Sequence, residues 1–201
     1  MTSTPVQPAP EQQRNRRGRL VLLAIAGLFF GVMLVAGLLR FSGWRPAGSN
    51  VHGEMLEPLV DLRERAPALH DGGTYAWNPP ARTWRIAVAP PADCGVACDK
   101  VAADLDKVWR LMGRKADRID ILWLCPDAAC VVPSPLAEDR TLRRLRPDAA
   151  LRATLPRVDE GASAGVPVYV LDPNGFVILR YPPGSDPGGL RADLAKLLKL
   201  I

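Results

Sequence analysis

The chain has 201 residues, with 26 Lys and Arg against 21 Asp and Glu, which gives a formal net charge of +5. Residues 1–19 hold four Arg and one Glu, and Arg40 adds one more positive charge, so the remainder carries 21 basic and 20 acidic residues. A nearly neutral remainder without a basic cluster argues against nucleic-acid binding, and its length suits a single domain beside one membrane crossing.

Residues 1–13 are polar and rich in proline, and residues 1–19 are predicted to form a disordered cytoplasmic tail. Residues 20–39 follow, with neither a charge nor a proline. At about 1.5 Å per residue, a helix of this length spans roughly 30 Å, the thickness of the hydrocarbon layer. The segment is therefore predicted to be one transmembrane helix. A cleaved signal peptide fits less well, because its apolar region is usually about 7–15 residues long.

The charges around this helix predict its orientation. Four Arg precede it and two follow closely, namely Arg14, Arg16, Arg17 and Arg19, then Arg40 and Arg45. The positive-inside rule places the tail in the cytoplasm and exports residues 41–201. In a bacterium the protein is then a single-pass inner-membrane protein with a periplasmic C-terminal domain, in a compartment where disulfides persist.

Residues 40–83 are predicted to be a linker and a loosely structured lead-in. The linker is short and polar, with glycine and proline, which is typical of a flexible spacer. Asp71-Gly72-Gly73-Thr74 indicates a turn, followed by one strand near Thr74–Trp77.

A strand, a turn with two cysteines and a helix open the predicted domain at residues 84–201. The apolar run 84–89 ends at Pro90-Pro91, as a buried strand stopped by proline does. Asp93 is a candidate N-cap, with Cys94 at the first helical position. Apolar residues then recur at helical spacing and Gly113 ends the helix; they are Val101, Leu105, Val108, Trp109 and Met112.

The rest of the domain reads as two further strand and helix groups. Residues 119–124 form a strand, residues 138–146 a short charged helix that ends before Pro147, and residues 147–154 a second short helical piece. A β-hairpin and a helix capped by Asp186-Pro187 follow, the two hairpin strands lying at 166–171 and 176–181. The order from residue 84 onward is βαβα, then ββα.

This order, with cysteines opening the first helix and Pro167 opening the hairpin, resembles the thioredoxin fold, an α/β class. Cys-x-x-x-Cys, the membrane anchor and the hairpin sequence are similar to the Sco/SenC group of cytochrome c oxidase assembly proteins. More narrowly, the chain resembles the small membrane-anchored proteobacterial type over about residues 50–200. The segments that carry this resemblance are Asn50-Val51-His52-Gly53-Glu54, Thr83-Trp84-Arg85 and Asp93-Cys94…Cys98.

The resemblance implies copper bound by two thiolates and one histidine, for delivery to the copper centre of an oxidase. Cys94 and Cys98 would be the two sulfur ligands. The histidine of the family pattern precedes the hairpin, but residues 158–166 contain none. His52 could complete the site from the lead-in, although a solvated loop histidine is the simpler interpretation. The resemblance also implies a cis bond before Pro167 and a position of that proline facing the cysteines.

The cysteine spacing leaves alternatives open. Residues four apart on a regular helix have Cα atoms about 6 Å apart, near the upper end of disulfide geometry, which suits a two-sulfur clamp. A helix N-terminus would favour the Cys94 thiolate, which serves both metal binding and disulfide exchange. A structural disulfide is the competing interpretation. For Cys125 and Cys130 a local structural bridge is favoured over an active role, although a cross-pair with the first cysteines is geometrically possible.

The sequence thus predicts a membrane-anchored periplasmic thioredoxin-like factor in respiratory oxidase assembly, which handles copper or thiol redox state through Cys94 and Cys98. Its predicted partners are an oxidase subunit or other assembly factors. A copper chaperone or thiol-redox assembly factor fits this better than an enzyme does. One alternative is a non-catalytic scaffold with a structural disulfide and no metal site. A general thiol-disulfide oxidoreductase is disfavoured, because its motif is normally Cys-x-x-Cys.

Overall fold

The computed structural model describes residues 10–42 and 51–199 and divides the chain into two compact units, Met1–Ser49 and Asn50–Ile201. The first unit contains helix α1, Pro10–Phe41. Its segment Asn15–Phe41 is long and apolar enough to cross a membrane. The helix begins ten residues before the predicted span. The predicted disorder of residues 10–19 is therefore wrong, because Glu, Gln and Arg are good helix formers that extend the apolar helix; residues 1–9 lie outside the described part.

The second unit is built on one six-stranded sheet. Its elements are β1 (Glu54–Asp61), β2 (Trp84–Val88), α2 (Gly95–Leu111), β3 (Ile119–Leu124), β4 (Leu142–Leu145), α3 (Ala149–Thr154), β5 (Val168–Leu171), β6 (Phe176–Tyr181) and α4 (Pro187–Leu197). The strand order is β1-β6-β5-β2-β3-β4. Strands β2, β3 and β4 run parallel, whereas β5 is antiparallel to β2, β6 to β5 and β1 to β6.

The strands alternate their side chains between two apolar layers, because successive residues of a strand point to opposite faces. In β2 and β3, the side chains of Ile86, Val88 and Ile121 pack with α2 and α4. Leu122 and Leu124 point the other way and pack with Leu151 of α3. The sheet thus has a helical layer on one face and a second core of loops, β1 residues and α3 on the other.

Most of the predicted elements are confirmed. The strands at 84 and 119, the hairpin β5–β6, the two long helices of the domain and the short helix before residue 154 are present. Asp186 caps α4 by accepting hydrogen bonds from the backbone N–H groups of Gly188 (3.0 Å) and Gly189 (3.2 Å). The thioredoxin-like α/β fold follows from this order and topology.

The predicted charged helix at 138–146 is wrong. The chain forms a 3-10 turn at Leu136–Glu138 and then strand β4 at the sheet edge. Pairing with β3 satisfies the backbone of this short segment, as the 3.0 Å hydrogen bond from Ile121 N–H to the Thr141 carbonyl illustrates. Such tertiary pairing outweighs weak local helix propensity.

The lead-in is also more ordered than the sequence predicted. β1 joins the opposite sheet edge by pairing with β6, with a register shift between Met55 and Val60. The strand predicted near Thr74–Trp77 is reduced to an isolated bridge between Ala68 and Thr74. Tyr75 is buried because it packs in the second core, and it does not lie on a strand.

Candidate functional site

The two cysteine pairs lie at the same edge of the sheet. Cys94 follows β2 after a short proline-containing loop, and Cys125 directly follows the last residue of β3. These strands are parallel, with Val88 opposite Trp123, so their carboxyl ends meet at one edge. The topology therefore brings together two cysteine pairs that are about thirty residues apart in the chain.

Helix α2 places the first pair. The N-cap is Cys94 rather than the predicted Asp93, and its backbone carbonyl accepts a 2.9 Å hydrogen bond from the Ala97 N–H. Gly95 has a φ of 41°, a left-handed conformation that favours glycine at this turn. Cys94 thus lies at the end of a 17-residue helix where backbone N–H groups are free and the helix dipole is positive.

Both pairs form local disulfides, Cys94–Cys98 and Cys125–Cys130. Each has a Cα–Cα distance of 5.4 Å, within the usual disulfide range. The first distance is shorter than the regular helical spacing because Cys94 occupies the cap and not the helix body. These are the simplest of the three pairings that four cysteines allow.

The disulfides face one cavity of about 370 Å³. Cys94, Cys98 and Cys130 line it, together with Trp123 and a set of loop prolines: Pro90, Pro91, Pro126 and Pro133. These three cysteines are partly exposed, whereas Cys125 is 1% exposed and does not line the cavity. Two apolar side chains next to the cysteines are open to solvent, Val96 at 83% and Val131 at 84%. The site is thus an open hollow of mixed polarity, lined by cysteines of both disulfides.

His52 contacts a different part of the domain. Its Nδ1 lies 3.1 Å from an Oδ1 of Asp193 in α4, and its backbone N–H donates to the other carboxylate oxygen at 2.6 Å. It does not line the cysteine cavity. Among residues 10–42 and 51–199, no group of three or more His, Cys, Asp or Glu side chains could hold a metal ion. A role for His52 as a copper ligand therefore stays a prediction without a shared site in this structure.

The second histidine lies nearer to the cysteines. His70 Nε2 is 3.4 Å from the carbonyl of Ala128, in the loop that the Cys125–Cys130 bond closes. The sequence offered no signal for this contact, because it depends on the bridge that joins Leu69 to Leu145 of β4.

Pro167 differs from its prediction. The cis peptide bonds of the described residues precede Pro58 and Pro135, so the bond before Pro167 is trans. Pro167 is buried next to β5 and does not line the cysteine cavity. The prolines that line this cavity are Pro90, Pro91, Pro126 and Pro133.

A family model described as the transmembrane-like, thioredoxin-like, C-terminal domain matches residues 84–201, more than half of the chain. The chain belongs to this family. The match includes both disulfides and every strand except β1. It thereby agrees with the predicted thioredoxin-like fold.

Several solved structures are similar to this chain. Yeast Sco1 with copper bound has a TM-score of 0.50 and 14% identity, covering 68% of this chain and 90% of its own. A SCO1/SenC family lipoprotein from Bacillus anthracis has a TM-score of 0.49 and 14% identity, covering 77% and 99%. Peroxiredoxin Q from Xanthomonas campestris has a TM-score of 0.44 and 18% identity, covering 73% and 96%. No curated protein matches the chain significantly. At 14% identity the likeness to yeast Sco1 concerns the fold alone.

Proposed function

We propose that this protein is a membrane-anchored thiol-redox factor that acts through the Cys94–Cys98 disulfide during assembly of a respiratory cytochrome c oxidase. The observation that carries the proposal is the placement of this disulfide, partly exposed in an open cavity at the N-terminus of α2. A bridge that served only stability would not need access to a partner's sulfur.

The chemistry of this position favours exchange. Thiol–disulfide exchange proceeds by attack of a thiolate on a disulfide sulfur, so its rate depends on access and on how well the leaving thiolate is stabilised. Cys94 and Cys98 line the cavity, which gives access. The positive end of α2 stabilises a thiolate at Cys94.

The setting of the reaction is part of the same proposal. Helix α1 would anchor the chain in the bacterial inner membrane, and the arginines before it would keep the N-terminus cytoplasmic. The exported domain would then meet oxidase subunits or other assembly factors. The Cys-x-x-x-Cys motif in its strand and helix context and the resemblance to Sco/SenC proteins support this choice of partner.

A cellular experiment tests the redox role. Cys94→Ser and Cys98→Ser should each lower cytochrome c oxidase activity in membranes at least tenfold, with the protein still present at wild-type abundance. The matched control is Ser185→Ala, which removes a hydroxyl near α4, outside the cysteine cavity. Unchanged oxidase activity in both cysteine variants would favour the non-catalytic scaffold instead.

Copper handling is the second candidate, with copper as cargo. The residues present do not fit the three-ligand site of the Sco/SenC pattern, because neither His52 nor His70 lines the cavity that holds the two sulfurs. After reduction, Cys94 and Cys98 would still offer two soft thiolates, which suit Cu(I). Titrating the reduced full chain in detergent with Cu(I) against a competing chelator tests this. A one-to-one complex that Cys94→Ser abolishes supports it, and binding no tighter than that of the unfolded thiols contradicts it.

A further inference from the structure

The cavity brings a third sulfur to the candidate site. Cys130 lines the same hollow as Cys94 and Cys98, whereas its partner Cys125 is 1% exposed behind it. All four cysteines adjoin the apolar core on the α2 face of the sheet, to which Trp123 also belongs. We infer that Cys125–Cys130 is a second redox pair and that its thiols reduce the Cys94–Cys98 disulfide. This inference rests on the proposed function, because it adds the electron donor for that disulfide.

The surroundings of Cys130 favour a reactive disulfide over a purely structural one. Structural disulfides are usually inaccessible, whereas labile and catalytic ones are exposed or strained. Cys130 is partly exposed to the cavity, and the next residue, Val131, is 84% exposed. A partner protein carrying a dithiol can therefore reach the Cys130 sulfur. Cys125 can then serve as the internal thiol that closes the bond again.

The direction of electron transfer follows from the backbone conformation around each cysteine pair. Cys94 caps a 17-residue helix, so its thiolate is stabilised when the first pair is reduced. Cys125 and Cys130 lie in the turn after β3 and have no helix N-terminus. A disulfide whose reduced form is stabilised is the stronger oxidant. Electrons therefore move from the Cys125/Cys130 dithiol to the Cys94–Cys98 disulfide.

The transfer balances in three steps. First, an external protein dithiol reduces Cys125–Cys130 and becomes a disulfide itself. The Cys130 thiolate then attacks the Sγ of Cys94: the Cys94–Cys130 bond forms, the Cys94–Cys98 bond breaks, and Cys98 leaves as a thiolate that takes a proton. Finally the Cys125 thiolate attacks the Sγ of Cys130, which re-forms Cys125–Cys130 and releases the Cys94 thiolate. Two electrons have passed from the external dithiol to the first pair.

Two matched variants of the full chain in detergent test the geometry. Cys98→Ser/Cys125→Ser keeps Cys94 and Cys130, and Cys98→Ser/Cys130→Ser keeps Cys94 and Cys125. Under the same oxidised glutathione concentration, the first should form its intramolecular disulfide at least tenfold faster, because only Cys130 shares the cavity. Equal or slower formation would overturn the inference. Circular dichroism confirms that both variants are folded, and non-reducing peptide mass spectrometry identifies the bond.

A crossover experiment in cells tests the direction. Cells are quenched with acid and their thiols are labelled with maleimide before peptide mapping. Cys125→Ser/Cys130→Ser should leave the Cys94–Cys98 pair at least tenfold less reduced than in wild type, whereas Cys94→Ser/Cys98→Ser should leave Cys125 and Cys130 more reduced. Equal reduction of Cys94–Cys98 with and without the second pair overturns the relay alone. Failure of both pairs to become reduced in wild-type cells contradicts the proposed redox function as well.

Discussion

Asp193 joins the start of the domain to its last helix. Its fully buried carboxylate accepts hydrogen bonds from the Tyr181 hydroxyl (2.8 Å) and from the backbone N–H groups of His52 (2.6 Å) and Gly53 (3.2 Å). Burial alone would raise the pKa of Asp193, but the hydrogen bonds from His52, Tyr181 and Gly53 outweigh it and hold the pKa below the ordinary value of 3.8. The ionised carboxylate is therefore the form that the fold stabilises.

This lowered pKa predicts a pH dependence. A depressed folded pKa contributes stability above the unfolded pKa of about 3.9, and that contribution is lost as the pH falls through the folded pKa. The free energy of unfolding should therefore decrease as the pH drops below about 4. Asp193→Asn should lack this part of the decrease and be less stable than wild type at pH 7. Urea titrations of both proteins from pH 2 to 7 measure the difference, and parallel profiles would contradict the prediction.

Arg85 is a buried cation whose guanidinium group donates hydrogen bonds to several acceptors. Its side chain is 1% exposed and donates to the Tyr75 hydroxyl (2.9 Å) and to the carbonyls of Asp172 (3.1 Å) and Pro173 (2.8 Å). It also lies over the Trp77 ring, at 5.3 Å from the centroid. Burial, as the largest cause, raises the pKa of Tyr75 to about 12, so this hydroxyl stays protonated and donates to Asp120.

Lysine cannot reproduce the planar set of N–H donors on the Arg85 guanidinium group. Arg85→Lys should lower the free energy of unfolding by about 2 kcal/mol, because at least one buried acceptor loses its donor. Arg110→Lys is the control: Arg110 is exposed and pairs with Asp106, so the change should stay within about 0.5 kcal/mol. Chemical denaturation of both variants measures the two changes in the free energy of unfolding. Equal changes would show that the hydrogen bonds of Arg85 add no net stability.

At the scale of elements, the interior of the domain could be predicted and its two sheet edges could not. β2, β3 and β5 are short apolar runs bounded by turn residues, and α2 has a clear apolar stripe, so pattern alone identifies them. β1 shows a mixed burial pattern in which Leu56 is the buried residue, and β4 contains two arginines. An edge strand is half solvated, and its pairing partner is distant in sequence, so neither edge carries a local signal.

The candidate site divides in the same way. The positions of Cys94 and Cys98 followed from the strand and helix pattern, and the parallel pairing predicted that Cys125 would lie at the same edge. The shared cavity could not be predicted, because it depends on loop prolines whose positions only the folded chain shows. The attachment of His52 to Asp193, 141 residues away, has no sequence signal either.

The edge position of β4 gives a test of its pairing. Leu145 is 3% exposed and belongs to the core on the α3 face of the sheet. Leu145→Ala should lower the free energy of unfolding by about 2–4 kcal/mol through lost burial and a residual cavity. Leu111→Ala is the control, since Leu111 is 58% exposed at the end of α2 and should change stability by less than about 1 kcal/mol. Similar losses in the two variants would contradict the burial of β4.

At the scale of the whole molecule, the proposed export of the domain by α1 would determine whether its cysteines are oxidised. Each disulfide closes a loop of four or five residues, and a loop of this size contributes about 2 kcal/mol by restricting the unfolded chain. Disulfides persist in exported compartments and are reduced in the cytoplasm. If α1 exports the domain, the domain keeps its disulfides, and export therefore also raises its free energy of unfolding.

This dependence predicts what happens when the helix is removed. A chain that begins at residue 40 should remain in the cytoplasm with its four thiols reduced, and its domain should unfold at a lower temperature because about 2 kcal/mol per bond is lost. Maleimide labelling of quenched cells counts the thiols, and thermal scans of the purified protein with and without dithiothreitol compare the stability. If the chain without α1 regains the unfolding temperature of the full-length protein after oxidation, the lower stability comes from the missing disulfides and not from the missing helix. A chain without α1 that keeps both disulfides in the cytoplasm would contradict the prediction, because the compartment would then not control the redox state of the domain.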